Sequence, residues 1–383
     1  MKHDHLRIEI SGAEVEERFY RDLILLEVEL DDALAGMFRM TVGLLRADGR
    51  WPYLDEEPFT PWSRVVITAG FENDSKQLIV GYITHLLPEF GAALEQSRLQ
   101  IWGMDASVVM DREDKLKAWP NKKDSDIATE TFREHGLTPQ VTDTEVIHDE
   151  EVSTIIQRET DIQFLKRLAL RNGFECFVDG DTGYFRPPAV SDTPQPVLAV
   201  HFGHETNVNR LALQVNVVTP ANVAMFQVDR IDGKILDAAA DSARQPALGS
   251  KPHADYLQPG MPSGLVYLGQ TVTTGALEMT GLCQSVHDQG EWFVTGDGEV
   301  AANEYGSILK PRRTVTIKGV GETHSGVYYV THVTHAFASS GYTQAFRIKR
   351  NALAPTGAEQ FSMGGNGLAG ALAGLVTIAE GVQ

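Results

Sequence analysis

The chain has 383 residues, 42% hydrophobic and 22% charged, a size and balance that suit two or three domains with real cores and exclude wholesale disorder or a coiled coil. Its two cysteines, Cys176 and Cys283, form no C-x-x-C pair, which excludes disulfide scaffolds and cysteine-rich zinc modules and makes a reducing compartment the default. A formal charge of −19 excludes binding dominated by phosphate contacts, so no stable nucleic-acid binding is expected.

Met1 to Arg7 carries charges but no apolar core, so no signal peptide is read, and the expectation is cytoplasmic synthesis and assembly. The first hundred residues then alternate apolar and polar positions in short runs: Leu23 to Leu30, Phe38 to Leu44, Val65 to Ala69 and Leu78 to Ile83. That is the period of half-buried strands. Asp48-Gly49 and Asn73-Asp74-Ser75 supply turn chemistry, and Pro52, Pro58 and Pro61 fall where strands should stop. Residues 1–105 are assigned to a first β-barrel domain.

From about 106 to 195 the period changes. Ser125 is placed to cap a helix running to His135, with Ile127, Ala128, Thr131 and Phe132 on one face and Gly136 just beyond its end. Thr160-Asp161-Ile162-Gln163 reads as a capping box that opens a second helix. Its apolar stripe is Ile162, Leu165, Leu168 and Ala169, and Gly173 stops it. A hairpin of Phe174 to Val178 and Gly183 to Phe185 turns at Asp179-Gly180-Asp181. This segment, 106–195, is read as a small α/β insert.

Residues 196–352 return to strand patterning at Pro196 to Val228, Thr314 to Lys318, Val327 to Phe337 and Tyr342 to Lys349. They are assigned to a second β-barrel domain with a Pro/Gly/Ala-rich loop near 238–262. Residues 353–383 form a Gly/Ala-rich tail whose apolar run, Leu368 to Ala379, is shorter than the roughly 20 residues needed to span a bilayer, so no transmembrane segment is read. The fold class is mainly β with an α/β insert (α+β): two tandem similar β-barrel domains plus a small α/β domain.

The two β-regions echo each other. Arg64-Val-Val-Ile-Thr-Ala-Gly70, Tyr82-Ile-Thr-His85 and Ser97-Arg-Leu-Gln-Ile101 recur as Arg313-Thr-Val-Thr-Ile-Lys-Gly319, Tyr329-Val-Thr-His332 and Ala345-Phe-Arg-Ile348. The interval from Tyr82 to Leu99 equals that from Tyr329 to Phe346, which predicts that the two tyrosine strands are equivalent. Two similar barrels per chain would give a trimer six quasi-equivalent surfaces, so that a threefold object could meet a sixfold one.

The stretch Ile156-Gln-Arg-Glu-Thr-Asp-Ile-Gln-Phe-Leu-Lys-Arg-Leu-Ala-Leu-Arg-Asn-Gly173, with Gly319-Val-Gly321 and Ser325-Gly-Val-Tyr-Tyr-Val-Thr-His-Val-Thr-His335, resembles the late control protein D family of contractile phage tails. That family is also the hub portion of type VI secretion valine-glycine-repeat spike proteins. The similarity runs from the first strands to about Asn351. It implies a homotrimeric ring, a baseplate hub that joins a hexameric inner tube protein to a trimeric spike among other baseplate components. The family's motifs are structural, so the resemblance implies neither an enzyme nor a cofactor. No β-helix repeats follow residue 352, which implies a separate spike protein.

Residues that carry chemistry elsewhere find no partner pattern here, and no catalytic, cofactor-binding or metal residue is assigned. His332 and His335 are three apart on a strand and so point to opposite faces. His201-Phe-Gly-His204-Glu205 matches neither H-E-x-x-H nor H-x-x-E-H. Asp179-Gly-Asp-Thr-Gly183 begins like a calcium loop but has Val190 where a bidentate Glu is needed. Gly365-Asn-Gly-Leu-Ala-Gly370 fits G-x-G-x-x-G without room for the βαβ unit that gives it meaning. Arg312-Arg313 and Arg347 to Arg350 read as solvated strand faces. The competing classes are a β-rich glycan-binding adhesin, which needs exposed aromatics around a groove, and a metal-dependent hydrolase using His201 and His204.

Overall fold

The computed structural model describes residues 6–361 except short stretches at 47–48, 56–58, 72–73, 152–153, 219–220, 230–231, 270, 272 and 360. The Gly365 to Gly370 motif and the Leu368 to Ala379 run lie outside the described residues. Minor strands and single helical turns are left unlabelled below.

Alternation builds the first module from β1 (Arg7–Ile10), β2 (Leu23–Asp31), β3 (Met37–Gly43), β4 (Arg64–Phe71), β5 (Asp74–Glu89) and β6 (Arg98–Asp105). Every second side chain points inward, so Ile8, Val28, Phe38, Val65, Ile67 and Ile101 are fully buried. The hydrogen-bonded order is β2-β3-β6-β5-β4-β1. Gly103 on β6 is needed where the Phe38 ring lies against the backbone: a Cβ there would stand 2.1 Å from the ring and 2.4 Å from the Tyr82 carbonyl oxygen.

The α/β insert holds α1 (Asp124–Glu134), α2 (Asp161–Asn172), β7 (Glu175–Asp179) and β8 (Thr182–Arg186) around Ile127, Phe132, Phe164, Leu165, Leu168 and Phe185. Both expected caps are revised. Lys123, not Ser125, is the N-cap of α1, and its amide donates to the Asp126 carboxylate at 3.3 Å. Ser125 lies inside the first turn, where its hydroxyl donates to Asp143 at 3.0 Å and its amide to Thr144 Oγ1 at 3.1 Å. Thr160 is the N-cap of α2, yet the box does not close, because the Thr160 hydroxyl and the Gln163 amide group both donate to Asp111 Oδ1, at 2.5 and 2.9 Å. A charged acceptor outcompetes the neutral backbone exchange. Gly173, at φ 69°, ends the helix.

The second module begins with β9 (Gln195–Ala199) and β10 (Val208–Val215) and is then interrupted. β11 (Ala221–Val228), β12 (Ile235–Ala240) and β13 (Gly264–Leu268) form a separate sheet in the order β12-β11-β13, covered on one face by α3 (Ala276–Gly290). The expected loop near 238–262 is the connection between β12 and β13, with β12 reaching into it as far as Ala240. β14 (Val294–Ala301), β15 (Arg313–Lys318), β16 (Gly326–Ala338) and β17 (Gly341–Arg350) complete the module. Its order is β10-β14-β17-β16-β15-β9, the same sequence of neighbours as in the first module. One difference stands at the end: β1 is antiparallel to β4, whereas β9 is parallel to β15.

The two modules also share two of their irregularities, while the shifts at Ile67/Thr68 in β4·β5 and at Gln195/Leu198 in β9·β15 are unmatched. The β5·β6 ladder shifts between Ile83 and His85, leaving Thr84 extra, and the β16·β17 ladder shifts between Val330 and His332, leaving Thr331 extra. Following the ladders outward, Ile83–Gly103–Phe38–Val28 corresponds to Val330–Ile348–Gly296–Leu213. Four residues before Val28 is Ile24, and four before Leu213 is Asn209. Both are again the extra residue of a bulge, in the β2·β3 and β10·β14 ladders respectively. Bulges at matched steps are retained design features rather than accidents of strand pairing.

This register revises two details of the sequence echo while keeping Tyr82 with Tyr329. Tyr82 pairs with Arg64 and Tyr329 with Thr314, so Arg64 corresponds to Thr314 rather than Arg313. Phe346 corresponds to Ile101 rather than Leu99, because the β5–β6 connection is longer than the Ser339-Ser340 turn between β16 and β17.

Candidate assembly interface

The modules join edge to edge through β2 and β16, from His332 opposite Asp31 to Ala338 opposite Leu25, making one continuous sheet. The bulge at Thr331 divides β16: its first half pairs with β15 and its second half with β2. Apolar packing closes one end of the joint, where Phe337 stacks on Tyr342 with ring centroids 4.0 Å apart and both belong to the first module's core.

Charge closes the other end. His332 Nδ1 is 3.0 Å from Asp31 Oδ2, Lys349 Nζ is 3.0 Å from Asp32 Oδ2, and Arg312 donates to the Asp31 carbonyl while its guanidinium lies 3.8 Å over the Phe177 ring. Partial burial pushes the Asp31 carboxyl up, but hydrogen bonds from His332 and the amides of Ala33 and Leu34 outweigh it and hold the group well below the usual carboxylate range. Within the ladder, His335 is completely buried with Nδ1 2.8 Å from the Tyr342 hydroxyl. Burial, with the charges of Lys310 and His332, pushes its imidazole down to about 3, so it is neutral.

The counterparts of β2 and β16 are β10 and β5, and among the described residues neither has the equivalent partner. β10 ends the sheet, and the distal half of β5, from His85 to Glu89, pairs only with β6. Such edges present unpaired backbone donors and acceptors. Exposed Leu87 and Phe90 flank one, and exposed Val215, Val217 and Val218 the other.

The residues singled out for chemistry have structural places. His332 and His335 point to opposite faces and make the separate contacts above. His201 occupies a left-handed turn at φ 48°, His204 lies in a short helical turn, and Glu205 is engaged by Lys318. Asp179 and Asp181 belong to the β7–β8 turn, with Asp181 3.2 Å from Arg64, and Val190 packs with Leu248 and Tyr329. The basic run is divided: Lys349 pairs with Asp32, whereas Arg350 is fully buried and donates to the carbonyls of Leu248, Ser325 and Ala354. Cys176 and Cys283 are buried free thiols, and burial pushes Cys176 up to about 12. Among the described residues no group of three or more His, Cys, Asp or Glu side chains is arranged to hold a metal, and no helix is long and apolar enough to cross a membrane.

A family model described as the Alg8 N-terminal domain matches residues 5–248, more than half of the chain and inclusive of the first module, the insert and the start of the second. The chain belongs to the Alg8 N-terminal domain family. No curated protein matches it. Solved structures share the fold of this Alg8 N-terminal domain family member over most of its length. The 43 kDa tail protein of prophage MuSo2 from Shewanella oneidensis is 13% identical with a TM-score of 0.64, covering 92% of this chain and 100% of its own. A tail protein from Neisseria meningitidis MC58 is 12% identical at 0.62, covering 91% and 96%. An E. coli component of the type VI secretion system, described as structurally similar to the T4 tail proteins gp27 and gp5, is 12% identical at 0.52, covering 90% and 76%. The mainly β fold is thus a tail-protein fold.

Proposed function

We propose that this chain is a structural hub of a contractile tail or injection machine, a homotrimeric ring of six β-barrel-like modules that joins a hexameric inner tube to a separate trimeric spike. The observation that carries the reading is the β2·β16 joint. One chain already links two equivalent modules edge to edge, and the counterpart edges, β10 and distal β5, are left over for the same linkage between chains. Repeating it closes a ring when three chains supply six modules. Transferring the Val28–His335 register puts Leu213 opposite Pro88 and Val215 opposite Leu86 of the next copy; Pro88 has no N–H and shortens the ladder there. The tail proteins and the secretion component that share the fold support the same assignment, and the late control protein D resemblance supports the hub position.

Sedimentation of the purified chain, alone and mixed with a tube protein and a spike protein, tests this. The expected result is a trimer that retains both partners. A monomer at all concentrations, particularly one with affinity for sugars, overturns it.

A further inference from the structure

A cavity of about 160 Å³ lies where the first module, the insert and the second module meet, between β5, the β7–β8 turn and the segment from Lys310 to Arg313. Four basic side chains line it, Arg186, Lys310, Arg312 and Arg313, in a chain whose formal charge is −19. Their donors are largely unspent. Among the described residues the Lys310 amino group and the Arg186 guanidinium have no hydrogen-bond or ion-pair partner, and Nε of Arg186 and Nε of Arg312 are buried without one. Arg186 is held by ring contacts, 5.3 Å from the Tyr184 centroid and 5.7 Å from that of Phe177. Arg312, expected on a solvated strand face, turns inward over Phe177 and gives one donor to the Asp31 carbonyl. Burial, together with the charges of Lys76 and Arg313, pushes the Lys310 amino group down against the pull of Asp179.

The acids that share the cavity do not satisfy these donors. Asp105 Oδ2 accepts from the Gly36 amide at 2.5 Å, and Oδ1 from the Ser107 amide and hydroxyl at 2.9 and 2.5 Å. Burial also pushes the Asp105 carboxyl up, toward its uncharged form. The Asp31 carboxylate is taken by His332 and by the amides of Ala33 and Leu34, and Asp179 stands exposed at the β7–β8 turn. A buried donor left without an acceptor costs about 1–3 kcal/mol, and more when it is charged. Guanidinium forks match the paired oxygens of an oxyanion, and a lysine adds a point charge. The cavity has room for an ion of phosphate size together with water.

We propose that this cavity binds a small oxyanion of the phosphate or sulfate kind through Arg186, Lys310 and Arg312, an ionic tie between the insert and the two modules. The site is complete within one chain and so stands apart from the ring. Isothermal titration of the purified full chain with inorganic phosphate, at constant ionic strength in chloride, tests it, with the melting midpoint followed in parallel. One saturable site per chain is expected, with a midpoint that rises as phosphate or sulfate replaces chloride. Lys310→Met removes a donor that has no partner in the chain and should weaken phosphate binding by about tenfold or more. Asp179→Asn removes a negative charge from the same cavity and should tighten it, by up to about fivefold. No saturable heat with either oxyanion overturns the site, and so does an equal rise in midpoint with added chloride. Phosphate affinity equal to the parent's in both variants places the anion elsewhere and overturns it as well. If Lys310→Met does not fold, Asp179→Asn decides alone, and binding equal to or weaker than the parent's overturns the site.

Discussion

Thr84 and Thr331 are the extra residues of two β-bulges at the same step of corresponding strands, one in each half of the chain. Side chains alternate across a strand, so the bulge sets which face every following residue takes. Beyond Thr331 lie the residues that join the modules. Deleting Thr331 should turn Phe337 outward and His332 inward and abolish cooperative folding, read by near-ultraviolet circular dichroism. Thr331→Ala, which keeps the count, should stay within about 1 kcal/mol of the parent in urea unfolding.

Arg350 ties three loops together without a carboxylate. Arg350→Met keeps the volume, takes the guanidinium away from the Leu248 and Ser325 carbonyls, and leaves the Ala354 carbonyl with only the Ser250 amide. The expected loss is about 3 kcal/mol or more. A urea midpoint equal to the parent's would show that these carbonyls find other partners.

Gly103→Ala places a methyl group against the Phe38 ring. Overpacking of this kind should cost about 1–3 kcal/mol and lower the melting temperature. Phe38→Leu added to it should recover part of the loss, because it withdraws the ring from that contact.

Acid should loosen the joint between the modules through His335. Its folded value, about 3, lies below the ordinary 6.5, so the neutral form is the folded one. Its contribution is complete above 6.5 and is lost as the pH falls toward 3, by at most about 1.4 kcal/mol per pH unit. Asp31, whose folded value is also depressed, adds a loss only when the pH falls below its ordinary 3.8. Urea unfolding between pH 7 and 4.5 should therefore show a slope that His335→Gln flattens; an unchanged slope would assign the acid sensitivity to other groups.

Much of this architecture was legible in the letters. The runs at Leu23, Phe38, Val65, Thr314, Val327 and Tyr342 all became strands, since period-2 burial on one face is a strong local signal. The Tyr82 and Tyr329 strands could be matched because Y-x-T-H survives in both. The register beyond them could not, because loop lengths between paired strands differ and spacing along the chain is not spacing across a sheet. The caps failed differently: Thr160 and Gln163 have the right spacing for a box, but Asp111 arrives from elsewhere in the chain and takes both donors. Helix α3 gave little sign of itself, since Gly281 and polar Gln284 dilute its apolar stripe; the nearest cue is Glu278, which accepts from the amide and hydroxyl of Thr274 just ahead of the helix. The joint between β2 and β16 was invisible for a simpler reason: its partners are about 300 residues apart and meet through main-chain atoms.

Main-chain ladders carry little memory of residue type, and that bears on descent. The equivalence of the two halves resides in strand order and in the steps at which Ile24, Thr84, Asn209 and Thr331 are left over. Substitution can replace nearly every side chain without moving such a step, whereas a single inserted or deleted residue within a strand would move it. Drift is therefore free in letters and tightly policed in count, and the equivalence of the two halves of such a chain is better sought by comparing bulge positions than by comparing residues.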